Sequence, residues 1–250
     1  LDKPVEDCFG GAPANVACAL GRLGNEVVFI GRLGDDLIGT NFRKLMKSRR
    51  LNISGLQSDK QRPSRVVLVN RDLDGERSFQ GFLGDQGEGF ADQALELNPL
   101  IEQWPLFVRN ARWLIAGTIP LASPTSSEVF LWVLQQAEKG GLPIAIDVNW
   151  RATFWNSKSV PTSGPDELAL RSITQILAKA SLIKLAKEEA IWFFNNENPI
   201  EISKSLPQNP DVVITNGSRP IVWSINGFYG ETKVLSPPSV VDTTGAGDAF

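Results

Sequence analysis

Two apolar rhythms alternate along the chain. Short runs of contiguous apolar residues are followed by longer stretches in which apolar residues recur every three or four positions. The first such stretch is "CFGGAPANVACALGRLG", Cys8 to Gly24. Val16, Ala17, Leu20 and Leu23 recur at helical spacing, Pro13 suits a first turn, and Gly24 supplies a stop. "EVVFIG" from Glu26 predicts a short strand buried on both faces. "GDDLIGTNFRKLMKSRR" predicts the next helix, with Asp35 or Asp36 as its cap and Leu37, Ile38, Phe42, Leu45 and Met46 facing inward. The pattern changes over residues 65–83, where "RVVLVNRDLDGERSFQGFL" holds two alternating runs around Asp74-Gly75. That is the pattern of a hairpin more exposed than the core strands.

After a glycine-rich connection, "GDQGEGFAD", strand and helix patterns alternate again. "ARWLIAG", "LPIAIDVN", "SLIKLA" and "DVVITNG" predict strands. "SPTSSEVFLWVLQQAEKGG", "PDELALRSITQILAKA" and "KEEAIWFF" predict the helices between them. "RPIVWSING" and "YGETKVLSPPS" predict a second hairpin. The expected fold class is α/β, with a mostly parallel sheet, helices on both faces and a small hairpin outside it. In such sheets ligands bind beyond the carboxyl ends of the strands. Several polar or glycine clusters fall there: Gly117, Asp147 to Arg151, Lys184 to Glu188, Asn216-Gly217 and Asp242 to Asp248. Their convergence on one edge is a stronger signal than any single cluster.

Composition narrows the chemistry. The chain has 250 residues, 42% of them hydrophobic, and a formal net charge of -3. This is an ordinary globular composition, with no charge bias toward nucleic acid or anionic lipid. The one basic run, Arg43 to Arg50, is accounted for by a helix C-terminus. There is no histidine, which excludes a Ser-His-Asp triad and histidine-based zinc or haem sites. Cys8 and Cys18 form neither a zinc spacing nor a disulfide framework, as expected of reduced, intracellular cysteines. No apolar run is long enough to span a membrane.

The segment "DTTGAGD" carries the clearest chemical suggestion. Gly245 and Gly247 allow a bend with exposed N–H groups, and a helix starting near Ala246 would point its positive end there. Such a cradle suits phosphate, and Asp248 in the first turn could accept a proton from an alcohol. A plain helix cap on a glycine turn explains the same residues equally well. "DVNWRATFW" sets Asp147, Asn149 and Arg151 at alternating positions after a strand. Arg151 suits a transferred phosphoryl group, or a surface pair with Asp147. Trp150, Phe154 and Trp155 read as packing residues. Neither the Walker A pattern nor GxGxxG is present, which argues against P-loop and Rossmann-type redox chemistry.

"GGAPANVACALGRLG…FIGRLGDDLIG" together with "DTTGAGDAF" resembles the two diagnostic segments of the PfkB carbohydrate kinases, which have the ribokinase-like fold. "DVNWRATFW" further resembles fructokinases and the fructokinase-like proteins of cyanobacteria and plant plastids. The resemblance covers essentially the whole chain. It implies a ribokinase-like three-layer sandwich, one kinase domain over residues 1–250, with lid segments at about 1–9 and 65–84. It implies that residues before the first and after the last of this chain complete the domain. Asp248 matches the catalytic base, and Gly245, Ala246 and Gly247 the anion hole. Gly10, Gly11 and Asn15 match the sugar-contacting segment, with Asp147 and Asn149 beside the sugar. Arg151 matches an arginine that reaches over the site toward phosphate. Glu188 matches the glutamate of an NxxE element that organises Mg²⁺ through water, with Leu185 in place of the asparagine. Lys184, Asn216, Gly217 and Ser218 match nucleotide neighbours, and Asp242 and Thr244 a loop that holds K⁺ in some members.

The implied activity is phosphoryl transfer from MgATP to a small sugar such as fructose, in the cytoplasm or the plastid stroma. The lid implies a homodimer surface, because exposed strand edges invite pairing. One departure matters. Related kinases carry an arginine near the lid end, in a segment like "YRNPSAD", whereas here "GFLGDQGEGFAD" retains only Asp92. This leaves open another furanose-like sugar, a nucleoside, or an inactive fructokinase-like subunit of a plastid transcription assembly.

Overall fold

The computed structural model describes residues 9–71, 77–83 and 89–235. A helix α1 (Ala12–Arg22) leads to strand β1 (Gly31–Gly34), helix α2 (Leu37–Ser48) and strand β2 (Leu56–Asp59), which pairs parallel to β1. Strands β3 (Val67–Arg71) and β4 (Arg77–Phe82) form an antiparallel hairpin of their own. Helix α3 (Leu97–Val108) follows, and then the main sheet begins. Its strands are β5 (Leu114–Gly117), β6 (Ile144–Asp147), β7 (Leu182–Ala186), β8 (Asp211–Asn216), β9 (Arg219–Ile225) and β10 (Phe228–Thr232). The spatial order is β10-β9-β8-β7-β6-β5. β5 to β8 are parallel, while β9 and β10 add antiparallel to the edge. This is the expected α/β architecture, with the two predicted hairpins in place.

Helices α4 (Pro124–Lys139), α5 (Ala152–Trp155), α6 (Glu167–Leu177), α7 (Lys187–Phe194) and α8 (Pro199–Ser205) connect these strands. The principal core lies between the sheet and α4, α6, α7 and α8. Ile146, Ile183, Leu185 and Val212 fill it from the strands, and Leu134, Ile173, Ile176, Ala190 and Ile202 from the helices. Full burial of each of the Ile, Leu and Val side chains among them contributes about 1.5–3 kcal/mol. A second, smaller core joins α1, α2, β1 and β2 through Ala14, Ala17, Met46, Leu51 and Leu56.

Two sequence expectations are corrected here, and one helix is added. The strand expected over Glu26–Gly31 starts later, at Gly31, and the segment before it keeps only a bridge between Val28 and Asn52. The chains run close together there: a side-chain carbon at Gly55 would come within 2.9 Å of the Phe29 carbonyl oxygen, and the Gly55 carbonyl accepts from the Gly31 amide at 3.3 Å. In α2, Leu37 and Ile38 face outward, at 75% and 37% exposure. Asp36 caps the helix by accepting from the Gly39 amide at 2.7 Å, which turns Gly39 toward β1. The inward stripe therefore runs through Gly39, Phe42 and Met46, and 100° per residue carries positions 37 and 38 away from it. The added helix is α3, which holds Pro99 and Pro105, residues that weaken a helical pattern. It forms because Leu100 and Trp104 pack against Val129, Val133 and Trp132 of α4.

Candidate functional site

The parallel register brings the predicted clusters to one edge. Gly117 is level with Asp147, and Asp147 with Lys184, on three adjacent strands. Asn216 ends the next strand. Lys184 Nζ reaches Asp147 Oδ2 at 2.9 Å, with each side chain about four-fifths enclosed, at 20% exposure. Two residues singled out from sequence thus form one ion pair across the strand ends.

The loop after β6 is fixed atom by atom. The Val148 amide donates to the Lys184 carbonyl at 3.1 Å, and the buried Thr118 hydroxyl donates to the Val148 carbonyl at 2.6 Å. Asn149 then takes a left-handed conformation, φ 41°, which an asparagine tolerates better than most residues. This turns the chain so that Trp150 packs inward while Arg151 stays exposed. The Trp150 indole N–H donates to the Ser163 carbonyl at 2.7 Å, and Arg151 Nη1 to the Trp150 carbonyl at 2.8 Å.

Glu189 organises this loop, and sequence reasoning did not single it out. One carboxylate oxygen accepts from the Trp150 amide at 2.6 Å, the other from the Ala186 amide at 2.7 Å. It therefore ties the first turn of α7 to the loop after β6. Burial pushes its carboxyl up from the ordinary range, and the charge of nearby Asp147 pushes the same way. The two amides and Arg151 oppose this and do not cancel it. Glu188, the residue matched from sequence, lies exposed one position earlier. The sequence "KEE" offers two glutamates at almost the same spacing; only the helix phase tells which one is enclosed.

Gly10 and Gly11 precede α1; Gly11, at φ 110°, is its N-cap, and its carbonyl accepts from the Asn15 amide at 2.9 Å. α1 touches β5, the strand beside Asp147. Asn216, Gly217 and Ser218 form the tight connection from β8 to β9, with Gly217 at φ 54°. Asp242, Thr244, Gly245, Ala246, Gly247 and Asp248 lie outside the described residues. Among the described residues there is no group of three acidic or cysteine side chains that could hold a metal ion directly. Both oxygens of Glu189 already accept backbone hydrogen bonds, so a cation there fits contact through water better than direct ligation.

A second cluster lies at the foot of the hairpin. Arg65 Nε donates to both oxygens of Asp92, at 3.2 and 3.0 Å. Its guanidinium lies 4.9 Å from the ring centre of Phe82, 4.6 Å from Phe90 and 4.8 Å from Phe154. Burial raises the Asp92 carboxyl above its ordinary range, and Arg65 only partly offsets it. Nearby, Ser64 is pinned by Asp36, whose carboxylate accepts from the Ser64 amide at 2.7 Å and from its hydroxyl at 2.9 Å.

The family described as pfkB family carbohydrate kinase matches residues 3–250. The chain is 29% identical to "Probable fructokinase-6, chloroplastic" of Arabidopsis thaliana, over 96% of this chain and 60% of that protein. It is 29% identical to the fructokinase of Klebsiella pneumoniae, over 97% of this chain and 74% of that protein. Among solved structures, the fructokinase of Vibrio cholerae O395 in its fructose-, ADP- and calcium-bound form superposes with a TM-score of 0.78 at 26% identity, over 97% of this chain and 74% of that one. The chain spans less than two thirds of the length of the Arabidopsis relative. Among the described residues, no helix is long and apolar enough to cross a membrane.

Proposed function

Because this chain belongs to the pfkB family of carbohydrate kinases, we propose that its protein transfers the terminal phosphoryl group of ATP to a hydroxyl of a small sugar, with fructose as the first candidate. The observation that carries this reading is the strand-end constellation: the Asp147–Lys184 pair, with Arg151 on the loop after β6 and the enclosed Glu189 in the first turn of α7. It lies at the edge where a parallel sheet binds its ligands, and its mixed charges suit a polar sugar meeting an anionic phosphate. The names of the relatives point to fructose, and the fructose- and ADP-bound relative to a sugar and a nucleotide held together.

The proposed step is an in-line displacement. The sugar oxygen forms a bond to the γ-phosphorus, the bond from that phosphorus to the bridging oxygen of ADP breaks, and the hydroxyl proton passes to Asp248. Gly245, Ala246 and Gly247 would offer backbone N–H groups to the equatorial oxygens, and Arg151 would add a positive charge. Gly10, Gly11 and Asn15 would contact the sugar, with Asp147 and Asn149 at its other side. Lys184, Asn216, Gly217 and Ser218 would border the nucleotide. Mg²⁺ arriving with ATP would neutralise phosphate charge, with a glutamate of the α7 turn contacting its water shell. Of the two glutamates, Glu189, enclosed and within reach of the Asp147 charge, is a better candidate than the exposed Glu188 expected from sequence. Asp242 and Thr244 are the proposed K⁺ ligands. The β3–β4 hairpin is proposed as a lid that excludes water and pairs with a second copy.

The direct test is phosphoryl transfer by the full-length protein from MgATP, across a sugar panel headed by fructose, with Asp248→Asn alongside. Removing a general base lowers kcat by about 10²–10⁴-fold, so the variant is expected to be nearly silent. Product from the parent with another furanose or a nucleoside would reassign the acceptor. Silence of a folded parent on the whole panel would favour an inactive, structural role, which the arginine-free "GFLGDQGEGFAD" segment would then explain.

A further inference from the structure

Arg65 is enclosed to an unusual degree for a residue at the foot of an exposed hairpin. Its side chain is 9% exposed, and among the described residues its buried Nη1 has no hydrogen-bond partner. What surrounds the guanidinium instead is aromatic. Phe82 belongs to β4, Phe90 and Asp92 to the segment that follows the hairpin, and Phe154 to α5. A planar guanidinium can stack on several ring faces at once, which an ammonium cannot do with the same geometry. Phe82 and Phe154 also meet each other edge to face at 5.2 Å.

The fixed side of this cluster leads straight to the candidate site. The Phe154 amide donates to the Arg151 carbonyl at 3.0 Å, so the ring that closes over Arg65 and the arginine proposed to meet phosphate share one short turn. Asp92 is anchored in turn, because its carbonyl accepts from the Ser126 hydroxyl of α4 at 2.8 Å. The hairpin side is joined at Leu83, whose amide donates to the Val66 carbonyl beside Arg65.

We propose that Arg65 is a positioning residue: its guanidinium, clamped between Phe82, Phe90 and Phe154 and tied to Asp92, couples docking of the β3–β4 hairpin to the placement of the Arg151 turn. This rests on the kinase reading for its catalytic consequence, though not for the coupling itself. Hairpin closure and the presentation of Arg151 become one event, so an acceptor that seats the hairpin also completes the phosphate side. Loss of the clamp should act on acceptor use and on the leak of ATP to water, and much less on ATP binding.

The test uses two variants of the full-length protein. Arg65→Met keeps length and removes charge and plane; Arg65→Lys keeps charge and removes plane. Hydrogen exchange reads the coupling without any activity. In Arg65→Met, the Leu83 amide and the Phe154 and Asn156 amides are expected to exchange together, about ten-fold faster than in the parent, while β6 to β8 keep their protection. Arg65→Lys should recover less than half of that loss. Kinetically, Arg65→Met should raise the acceptor KM about ten-fold, leave the ATP KM within about two-fold, and raise ATP hydrolysis relative to sugar phosphorylation. Exchange that quickens in the hairpin alone, in neither segment, or uniformly through the chain would overturn the proposal. Coupled exchange in a parent that phosphorylates nothing would leave the clamp standing and sink the kinase reading instead.

Discussion

In the six-stranded sheet, Ile183, Leu185 and Val212 are completely enclosed, and the position of each strand is set by many apolar contacts at once. In the β3–β4 hairpin, Val67, Leu68 and Val69 are 39%, 41% and 45% exposed, and the hairpin is fixed at its foot by a few directional contacts. Those are the Arg65 clamp and the Asp36–Ser64 network. Distributed apolar burial makes a support that no single contact controls. Localised polar contacts make an attachment that one substitution can release. The proposed phosphoryl transfer would use both: a fixed edge on which to align reacting groups, and a cover that can open.

Three substitutions would sharpen or break this contrast. The largest effect is expected in the sheet: Ile183→Ala should cost about 2–5 kcal/mol in a denaturant titration, because it opens a cavity in a fully enclosed core that relaxes only partly. At the hairpin foot, Asp36→Ala should cost about 1–2 kcal/mol, the usual range for losing a helix cap. Its penalty should also depend on pH. Burial works to raise the Asp36 carboxyl, but the Ser64 and Gly39 amides and the Ser64 hydroxyl outweigh it and hold the pKa low. A carboxyl lowered on folding stabilises above its unfolded pKa, and that stability is lost as pH falls through the folded value. The gap between parent and Asp36→Ala should therefore narrow on acidification below about pH 4. The smallest effect is expected on the open strand: Leu68→Lys should change stability by less than about 0.5 kcal/mol. If the hairpin pairs two copies, the same change should shift the sedimentation profile toward monomer. A large loss from Leu68→Lys, or none from Ile183→Ala, would erase the distinction between the two regions.

The sheet was also the more legible region. Periodicity located α1, α4 and α6 and every strand from β5 to β10, because burial on one stripe or on both faces leaves a local mark in composition. Gly-Arg-Leu-Gly of β1 carries no such mark: only Leu33 is a large apolar residue there, and the strand is recognisable only once Leu56 to Asp59 lie beside it. α3 was hidden by its prolines, and α8 by its shortness. At the candidate site, strand-end clustering brought Asp147 and Lys184 to notice, and they pair. It could not separate Glu188 from Glu189, because their difference lies in helix phase. Nor could it single out Arg65, whose three rings come from β4, the following segment and α5 and meet only after folding.

One close contact has a consequence for how this chain can vary. Gly39 of α2 lies so near the Gly34 carbonyl oxygen that any side-chain carbon there would overlap it, and at Gly34 such a carbon would come within 2.6 Å of the Ser64 nitrogen. In a saturation library scored for survival, positions 34 and 39 should therefore be two intolerant columns, rejecting alanine as firmly as tryptophan. The exposed neighbours Leu37 and Ile38, between them, should accept most of the alphabet. An engineer wishing to graft a new loop onto this end of the domain would find the permissive pair framed by two immovable ones.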